Sequence, residues 1–424
     1  MSFSFIHTSD IHLGRAFSDL SIISDKMQLC EQACEKSFNK IVDLAINKKA
    51  DFVLIAGDSF DNNEHDLHTK LIFIKNLKRL ADNGIASYVI CGNHDPIELY
   101  KKHESYFKFD EKYNGLINIT GVTTENHIHQ YFHNENIVIN SISFKTEEGE
   151  NPTTELKTLE HNNNCFHIGL IHCDLEKNES KYAPCSKEDL KSLDYNYYAL
   201  GHIHIPEERD ERMIYAGSPQ GRTKKETGEH GCYYVCVDGN DISKEFVSTD
   251  VIQFNELELN CSEYENKIEV FEAIKELVNE QTSTDIELNL FEIKLIGITN
   301  AYKDLNDTES LIEEYTSEFD ENSNHIGVYK IENNTIPNID ENILLSDTGI
   351  IGIITNAFNE NSEIDIENIY ENIKTIHENI YKKLGLDNES KTELINALTD
   401  DKNIIIKHVE HELKSLCKEI YEQG

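Results

Sequence analysis

The sequence predicts an α/β protein in which helices cover a sheet, followed by a smaller α+β unit and a helical C-terminal region. Three observations lead there. Apolar, strand-like runs alternate with segments of helical periodicity, the pattern of a βαβ layout. Short clusters of Asp, Asn and His stand at the ends of the apolar runs. The chain has 424 residues, enough for two or three domains at roughly 150 residues each.

The elements follow in order. Residues 3–9 (Phe3, Phe5, Ile6) read as a short strand ending at Ser9-Asp10. Residues 26–48 place Ala33, Phe38, Ile41, Leu44 and Ala45 at helical spacing. Residues 52–56 form a strand that stops at Gly57-Asp58, and residues 66–83 a second helix (Leu67, Leu71, Ile74, Leu77, Leu80). Residues 86–91 are a strand running into Gly92-Asn93-His94-Asp95. Further strands are expected at 137–144, 166–171, 197–200, 213–216 and 232–237, the later ones antiparallel or mixed, with 145–164 as a polar surface loop. This first domain spans residues 1–250. A second unit, 253–335, offers strand, helix (about 264–278), strand (286–298), helix (about 305–319) and strand (326–331). Residues 332–346 read as a linker, and 346–424 as a helical region.

Composition narrows the class. Hydrophobic residues make up 38% and charged residues 28%, the balance of a globular chain. No apolar run approaches the roughly 18 residues a membrane-spanning helix needs, and no basic-then-apolar leader opens the sequence. The ten cysteines form no C-x-x-C pair and are expected to be reduced thiols in the cytoplasm. The net charge of −39 argues against nonspecific attraction to nucleic acid, because phosphates repel such a surface. Residues 1–250 hold 26 Lys+Arg and 40 Asp+Glu, a net of −14, so the remaining 174 residues carry −25. Histidine runs the other way, with 15 of 19 before residue 250. Titratable ligands are concentrated in the first part and bulk acidity in the second.

The chemistry lies in the polar clusters: Asp10-Ile11-His12, Gly57-Asp58, Gly92-Asn93-His94-Asp95, His172, and Gly201-His202-Ile203-His204. In an open α/β sheet the strand C-termini are where functional loops converge. The glycines before Asp58, Asn93 and His202 are expected to permit sharp turns. Asp, Asn and His without thiolate suit Mn²⁺, Fe or Zn²⁺ better than a Cys-bound structural zinc. Asp58 can bridge two ions through its two oxygens, and two metals about 3.5–4 Å apart can activate water and stabilise an in-line phosphoryl displacement.

The series D-x-H, G-D, G-N-H-D, H and G-H-x-H resembles the signature of the metallophosphoesterase (calcineurin-like) superfamily. The stretches HTSDIHLGR (7–15), GDSFD (57–61), CGNHD (91–95) and GHIH (201–204) resemble the Mre/SbcD-type DNA-repair exonucleases. AGSPQGRTKKETGEHGC (216–232) looks most like their YhaO-type branch. The resemblance is strong over residues 1–250, covers the next unit by position only, and has no residue-level match beyond 340. It implies a metallophosphoesterase β-sandwich flanked by helices, with the α+β unit as a capping domain that narrows the cleft and selects DNA ends or single strands. It also implies two Mn²⁺ ions: Asp10, His12 and His204 on one, Asn93, His172 and His202 on the other, and Asp58 bridging. His94 would protonate or stabilise the leaving 3′ oxygen, and Asp95 would fix the imidazole's orientation. Asp61 stands where some archaeal and eukaryotic relatives carry a second histidine, so the balance of exonuclease and endonuclease activity stays open.

The implied function is a Mn²⁺-dependent DNA exonuclease/endonuclease, acting in double-strand-break repair or end processing with an SMC-like coiled-coil ATPase, and expected to be a homodimer. The ATPase and the metals, rather than net charge, would hold the polyanion. Arg15, Arg222 and Lys224 are candidates for phosphate contact. The alternatives are a phosphodiesterase for a small molecule such as a cyclic nucleotide, and a non-catalytic adaptor for DNA ends or the ATPase. His127, His129 and His133 read as ordinary residues of a strand-like run.

Overall fold

The structure, a computed structural model, describes residues 1–14, 17, 27–61, 67–177, 179–239, 241–319 and 325–338. Arg15 and the helical region expected at 346–424 lie outside the described residues. The chain divides into two compact units, one of residues 1–256, 281–292 and 316–329, the other of 257–280, 293–315 and 330–424.

In the first unit the strands are β1 (Ser2–Thr8), β2 (Phe52–Ala56), β3 (Ala86–Ile90), β4 (Ile117–Ile119), β5 (Ile128–Asn134), β6 (Ile137–Ile142), β7 (Phe166–His172), β8 (Tyr197–Gly201), β9 (Glu207–Glu208), β10 (Met213–Tyr215), β11 (Gly231–Asp238) and β12 (Asp241–Ser248). They form two six-stranded sheets, ordered β12-β11-β1-β2-β3-β4 and β5-β6-β7-β8-β10-β9. The sheets pack face to face. Side-chain alternation explains how one strand serves two layers. Phe52, Leu54 and Ala56 of β2 point between the sheets, where Phe5, Ile139, Ile168, Leu170 and Tyr197 meet them. Val53 and Ile55 point outward to Phe38, Ile41, Phe73 and Leu77, which belong to α1 (Met27–Lys48) and α2 (Leu67–Asp82). Phe5 and Phe52 stack at 5.1 Å, and Tyr197 meets Phe5 edge-on at 5.3 Å. His7, also between the sheets, contacts Tyr197 Oη at 3.0 Å and Leu200 O at 3.2 Å. Burial lowers its pKa to about 3, so it is a neutral core residue.

Strand direction places the site. β1, β2, β3 and β4 run parallel, and so do β6, β7, β8 and β10. The carboxyl ends of β1, β2 and β3 therefore open on one edge of the first sheet, and those of β7 and β8 on one edge of the second.

Asp250, just after β12, is fully buried. One carboxylate oxygen accepts from Ser248 Oγ at 2.6 Å, while the other has no hydrogen-bond partner among the described residues. Burial raises its pKa from 3.8 to about 6, against the lowering by Ser248. A raised carboxyl pKa means the folded state holds the proton longer, so stability falls as pH rises from about 4 to 6 and is flat above. Asp250→Asn should remove about 1–2 kcal/mol of the stability difference between pH 4.5 and pH 8. Urea melts at both pH values check this, and an unchanged difference would refute it.

The second region adds β13 (Ile252–Asn260), α3 (Lys267–Gln281), β14 (Leu288–Thr299), α4 (Thr308–Phe319) and β15 (Ile326–Pro337), with sheet order β13-β14-β15. The linker expected from residue 332 is corrected here, because β15 continues to Pro337. Its polar ENNT stretch is half-exposed strand. Asn333 Oδ1 accepts from the backbone N–H and the hydroxyl of Thr335 at 3.1 and 2.6 Å. Such local bonds give a strand the composition of a turn. Among the described residues no helix is long and apolar enough to cross a membrane.

Candidate metal centre

Backbone geometry comes first. Asp10, His12, Asp58 and His202 all have positive φ, at 51, 46, 48 and 107°. This is a region that residues with a side chain rarely occupy, and strain of this kind gathers at functional sites. The first two loops are tied together: Asp10 N–H donates to Gly57 O and His12 N–H to Asp58 O, both at 3.0 Å. Gly92 and Gly201 serve close approach. A Cβ on Gly92 would lie 2.1 Å from Asp58 Oδ1, and one on Gly201 would lie 1.9 Å from Ala56 O. Neither has positive φ, so the expectation of sharp turns there gives way to a packing reason.

Seven side chains converge. Asp10, His12, Asp58, Asn93 and His172 are buried, and His202 and His204 are partly exposed. His12 Nε2 lies 3.3 Å from His204 Nε2, 3.7 Å from Asp58 Oδ2 and 4.0 Å from Asp10 Oδ1. His204 Nε2 is also 4.0 Å from Asp10 Oδ1. On the other side, Asn93 Oδ1 sits 2.9 Å from His172 Nε2 and 3.2 Å from His202 Nδ1. Asp58 Oδ2 is 3.4 Å from His172 Nε2 and so faces both halves. Asp10–His12–His204 and Asp10–Asp58–His172 each bring their ligand atoms within 4.8 Å of one another.

The donor set fits cations. Among the described residues, neither Asp10 nor Asp58 is paired with a lysine or arginine, although both are buried; their charged neighbours are histidines. Burial raises the pKa of Asp10. For Asp58, burial pushes up but is overcome by His172, His12 and His94, so its carboxyl is held well below the usual range. Burial and Arg222 lower His12 to about 3. For His172 burial lowers, but the Asp58 and Asp10 charges prevail and raise it to about 9. His172 Nδ1 is 2.9 Å from Ala56 O; donating there leaves Nε2 to hold either a proton or a cation. A ligand set of buried carboxylates with an imidazolium between them binds metal by exchanging that proton.

A second layer orients the first. His202 N–H donates to Asp10 Oδ2 at 3.0 Å and Oδ1 at 3.2 Å. His202 Nε2 faces Asp174 Oδ2 at 3.6 Å. His204 Nδ1 meets Glu226 Oε1 at 2.6 Å. Neither Asp174 nor Glu226 stands out in the sequence, because each acts on a ligand 22 or more residues away.

The His94 ring is partly exposed at the rim, 5.0 Å from the His12 ring, and the backbone N–H of His94 donates to Asp58 Oδ1 at 2.9 Å. The expectation for Asp95 is corrected. Its carboxylate accepts from Gly92 N, Ser59 N, Phe60 N and Tyr100 Oη at 2.7, 2.8, 3.3 and 3.0 Å, which fixes two loops rather than an imidazole. Burial and the Asp58 charge raise its pKa to about 7. The carboxylate beside the His94 ring is Asp61, with Oδ1 3.1 Å from His94 Nδ1 and 3.4 Å from His12 Nδ1. Arg222 is buried against His204 and Glu226, and Lys224 is exposed in the adjoining turn. His127 of the strand-like run lies 2.8 Å from Glu155, and both line the hollow that reaches His172.

Comparison with known proteins agrees with this geometry. Residues 3–206 match the family described as calcineurin-like phosphoesterase. Residues 3–206 form a calcineurin-like phosphoesterase domain. Such domains use a dinuclear metal centre and hydrolyse phosphoesters with it, and the Asp and His groups above could hold metal ions. The chain is 28% identical over 296 residues to the uncharacterized metallophosphoesterase YhaO of Bacillus subtilis (strain 168), covering 64% of this chain and 67% of that protein. It is 24% identical over 432 residues to the DNA double-strand break repair protein Mre11 of Sulfolobus acidocaldarius, covering 97% and 98%. The Mre11 of Methanocaldococcus jannaschii is 25% identical over 300 residues, covering 65% and 72%. The candidate donors His202 and His204 lie at the end of the matched span, while Arg222 and Glu226 lie just beyond it.

Proposed function

We propose that this chain is a Mn²⁺-dependent DNA nuclease that hydrolyses phosphodiesters, exo- and endonucleolytically, in double-strand-break repair or end processing. Its partner would be an SMC-like coiled-coil ATPase, and its assembly a homodimer. The observation that carries the reading is the likeness to Mre11 over nearly the whole chain, joined to a complete set of seven donors. Asp10, His12 and His204 would hold one ion, Asn93, His172 and His202 the other, and Asp58 both. Ions so placed supply Lewis acidity at the phosphoryl oxygens and an acidified water. The chain's own part is proton handling and positioning. His94 stands at the rim with Asp61 at its Nδ1, which leaves Nε2 to deliver a proton to the departing 3′ oxygen. Tyr182 is 39% exposed with its ring 5.2 Å from that of His202, a face on which a base can stack. Arg15 and Lys224 would meet phosphate farther out, and Arg222 would act only through the buried contacts it makes.

A second reading, a phosphodiesterase for a small substrate, is favoured by one observation. The hollows beside His172 and His202 are lined by Glu148, Glu150, Glu155 and Glu179, a poor lip for a polyanion. End-labelled linear duplex and single-stranded DNA should be digested with Mn²⁺, beside cyclic nucleotides and bis-p-nitrophenyl phosphate. Mn²⁺-dependent shortening of DNA is expected. Intact DNA with cyclic nucleotides consumed would give the second reading precedence.

A further inference from the structure

His204 can hold a cation only through an unprotonated Nε2, the atom facing His12 and Asp10. Its ring proton must then be on Nδ1. Two groups contend for that nitrogen, and their demands are opposite. Glu226 Oε1, at 2.6 Å, can only accept and so requires the proton on Nδ1. Arg222 Nη2, at 3.1 Å, can only donate and so would need the lone pair there, sending the proton to Nε2.

We propose that Glu226 is a positioning residue that holds His204 in the metal-binding tautomer by outcompeting Arg222, which lies within reach of the same Nδ1. The inference rests on the two-metal reading of the site and concerns how that site is made competent. Glu226 is held for the task. Its Oε2 accepts the Arg222 backbone N–H at 2.6 Å, its carbonyl is 3.2 Å from His230 Nε2, and it is 8% exposed. Its Oε1 also draws the Arg222 guanidinium to 3.5 Å. Arg222 is 1% exposed, and among the described residues its Nε and Nη1 have no hydrogen-bond partner. Its guanidinium contacts Glu226 and His204 and acts through space on His12. With the carboxylate gone, the imidazole nitrogen would be the acceptor left to it. Outer-shell partners of metal-bound histidines act in this way, fixing tautomer and ring orientation.

The test is calorimetric titration of Mn²⁺ into the metal-free full-length chain, with thermal melts to verify folding. Wild type should bind two ions. In Glu226→Ala one of the two affinities should weaken by about 10–100-fold and the other stay put. Replacing Arg222 as well, in Glu226→Ala/Arg222→Met, should recover most of that loss, because no donor then competes for Nδ1. Arg222→Met alone measures what loss of the cation does by itself, since Arg222 also acts on His12; recovery in the double variant must exceed that gain, which a merely structural role for Glu226 would not produce. Glu226→Gln keeps an acceptor and should lose less; it carries the same comparison, with Arg222→Met, if the alanine variant does not fold. Wild-type affinities in Glu226→Ala, or a double variant no better than the single one, would overturn the proposal. A wild type that binds fewer than two ions would instead overturn the two-metal reading beneath it.

Discussion

Asp58→Asn is expected to give a folded protein that no longer hydrolyses phosphodiesters. A single carboxylate oxygen, Oδ2, lies within 3.7 Å of His12 Nε2 and 3.4 Å of His172 Nε2, so it is the atom shared by the two half-sites. Asparagine matches the size and tolerates the positive φ at this position. It keeps one neutral oxygen and introduces an amide donor where an anion stood. The affinity for at least one ion should fall by well over the roughly 100-fold that loss of an outer-shell partner can cost. Elemental analysis and turnover of bis-p-nitrophenyl phosphate measure both effects. A variant that keeps two ions and its turnover would show that Asp58 does not bridge.

The second large effect separates chemistry from metal binding. His94→Ser should retain both ions yet lose about 10²–10⁴-fold in cleavage rate, the span of a general acid's contribution. Its backbone N–H still reaches Asp58, so the bridge is undisturbed. Asp61→Asn should fall in the same direction by less, since the ring remains and only its carboxylate partner is removed. If His94→Ser loses its ions in parallel with its rate, the histidine is a ligand and not a proton donor.

The candidate donors stood out because they lie at or shortly after the ends of apolar strands, where a parallel sheet gathers its loops. Asp10, Asp58 and Asn93 trail β1, β2 and β3, while His172 and His202 close β7 and β8. What stayed hidden depends on direction rather than order. The sequence places Asp95 next to His94, but the chain turns its carboxylate inward to four donors, and Asp61, 33 positions earlier, takes the ring. Glu226 sits in a run of Lys, Thr and Gly that reads as an exposed turn, and no periodicity marks it as buried against His204. Arg222 was legible as a cation near the site, not as one folded beneath it. The polar end of β15 was read as a linker because its asparagines bond locally, as they do in turns.

The seven donors come from both halves of the sandwich. Asp10, His12, Asp58 and Asn93 follow strands of one sheet, and His172, His202 and His204 those of the other. Each proposed ion takes ligands from both, so a bound cation would be a clasp across the open edge of the two sheets, added to their apolar packing and to polar contacts such as His172 with Ala56. Ligation and folding then share one equilibrium. Every tenfold rise in free cation above its dissociation constant adds about 1.4 kcal/mol to the stability of the loaded fold. Under the proposed two-metal reading, the supply of that cation governs the stability of the fold as well as the loading of the site.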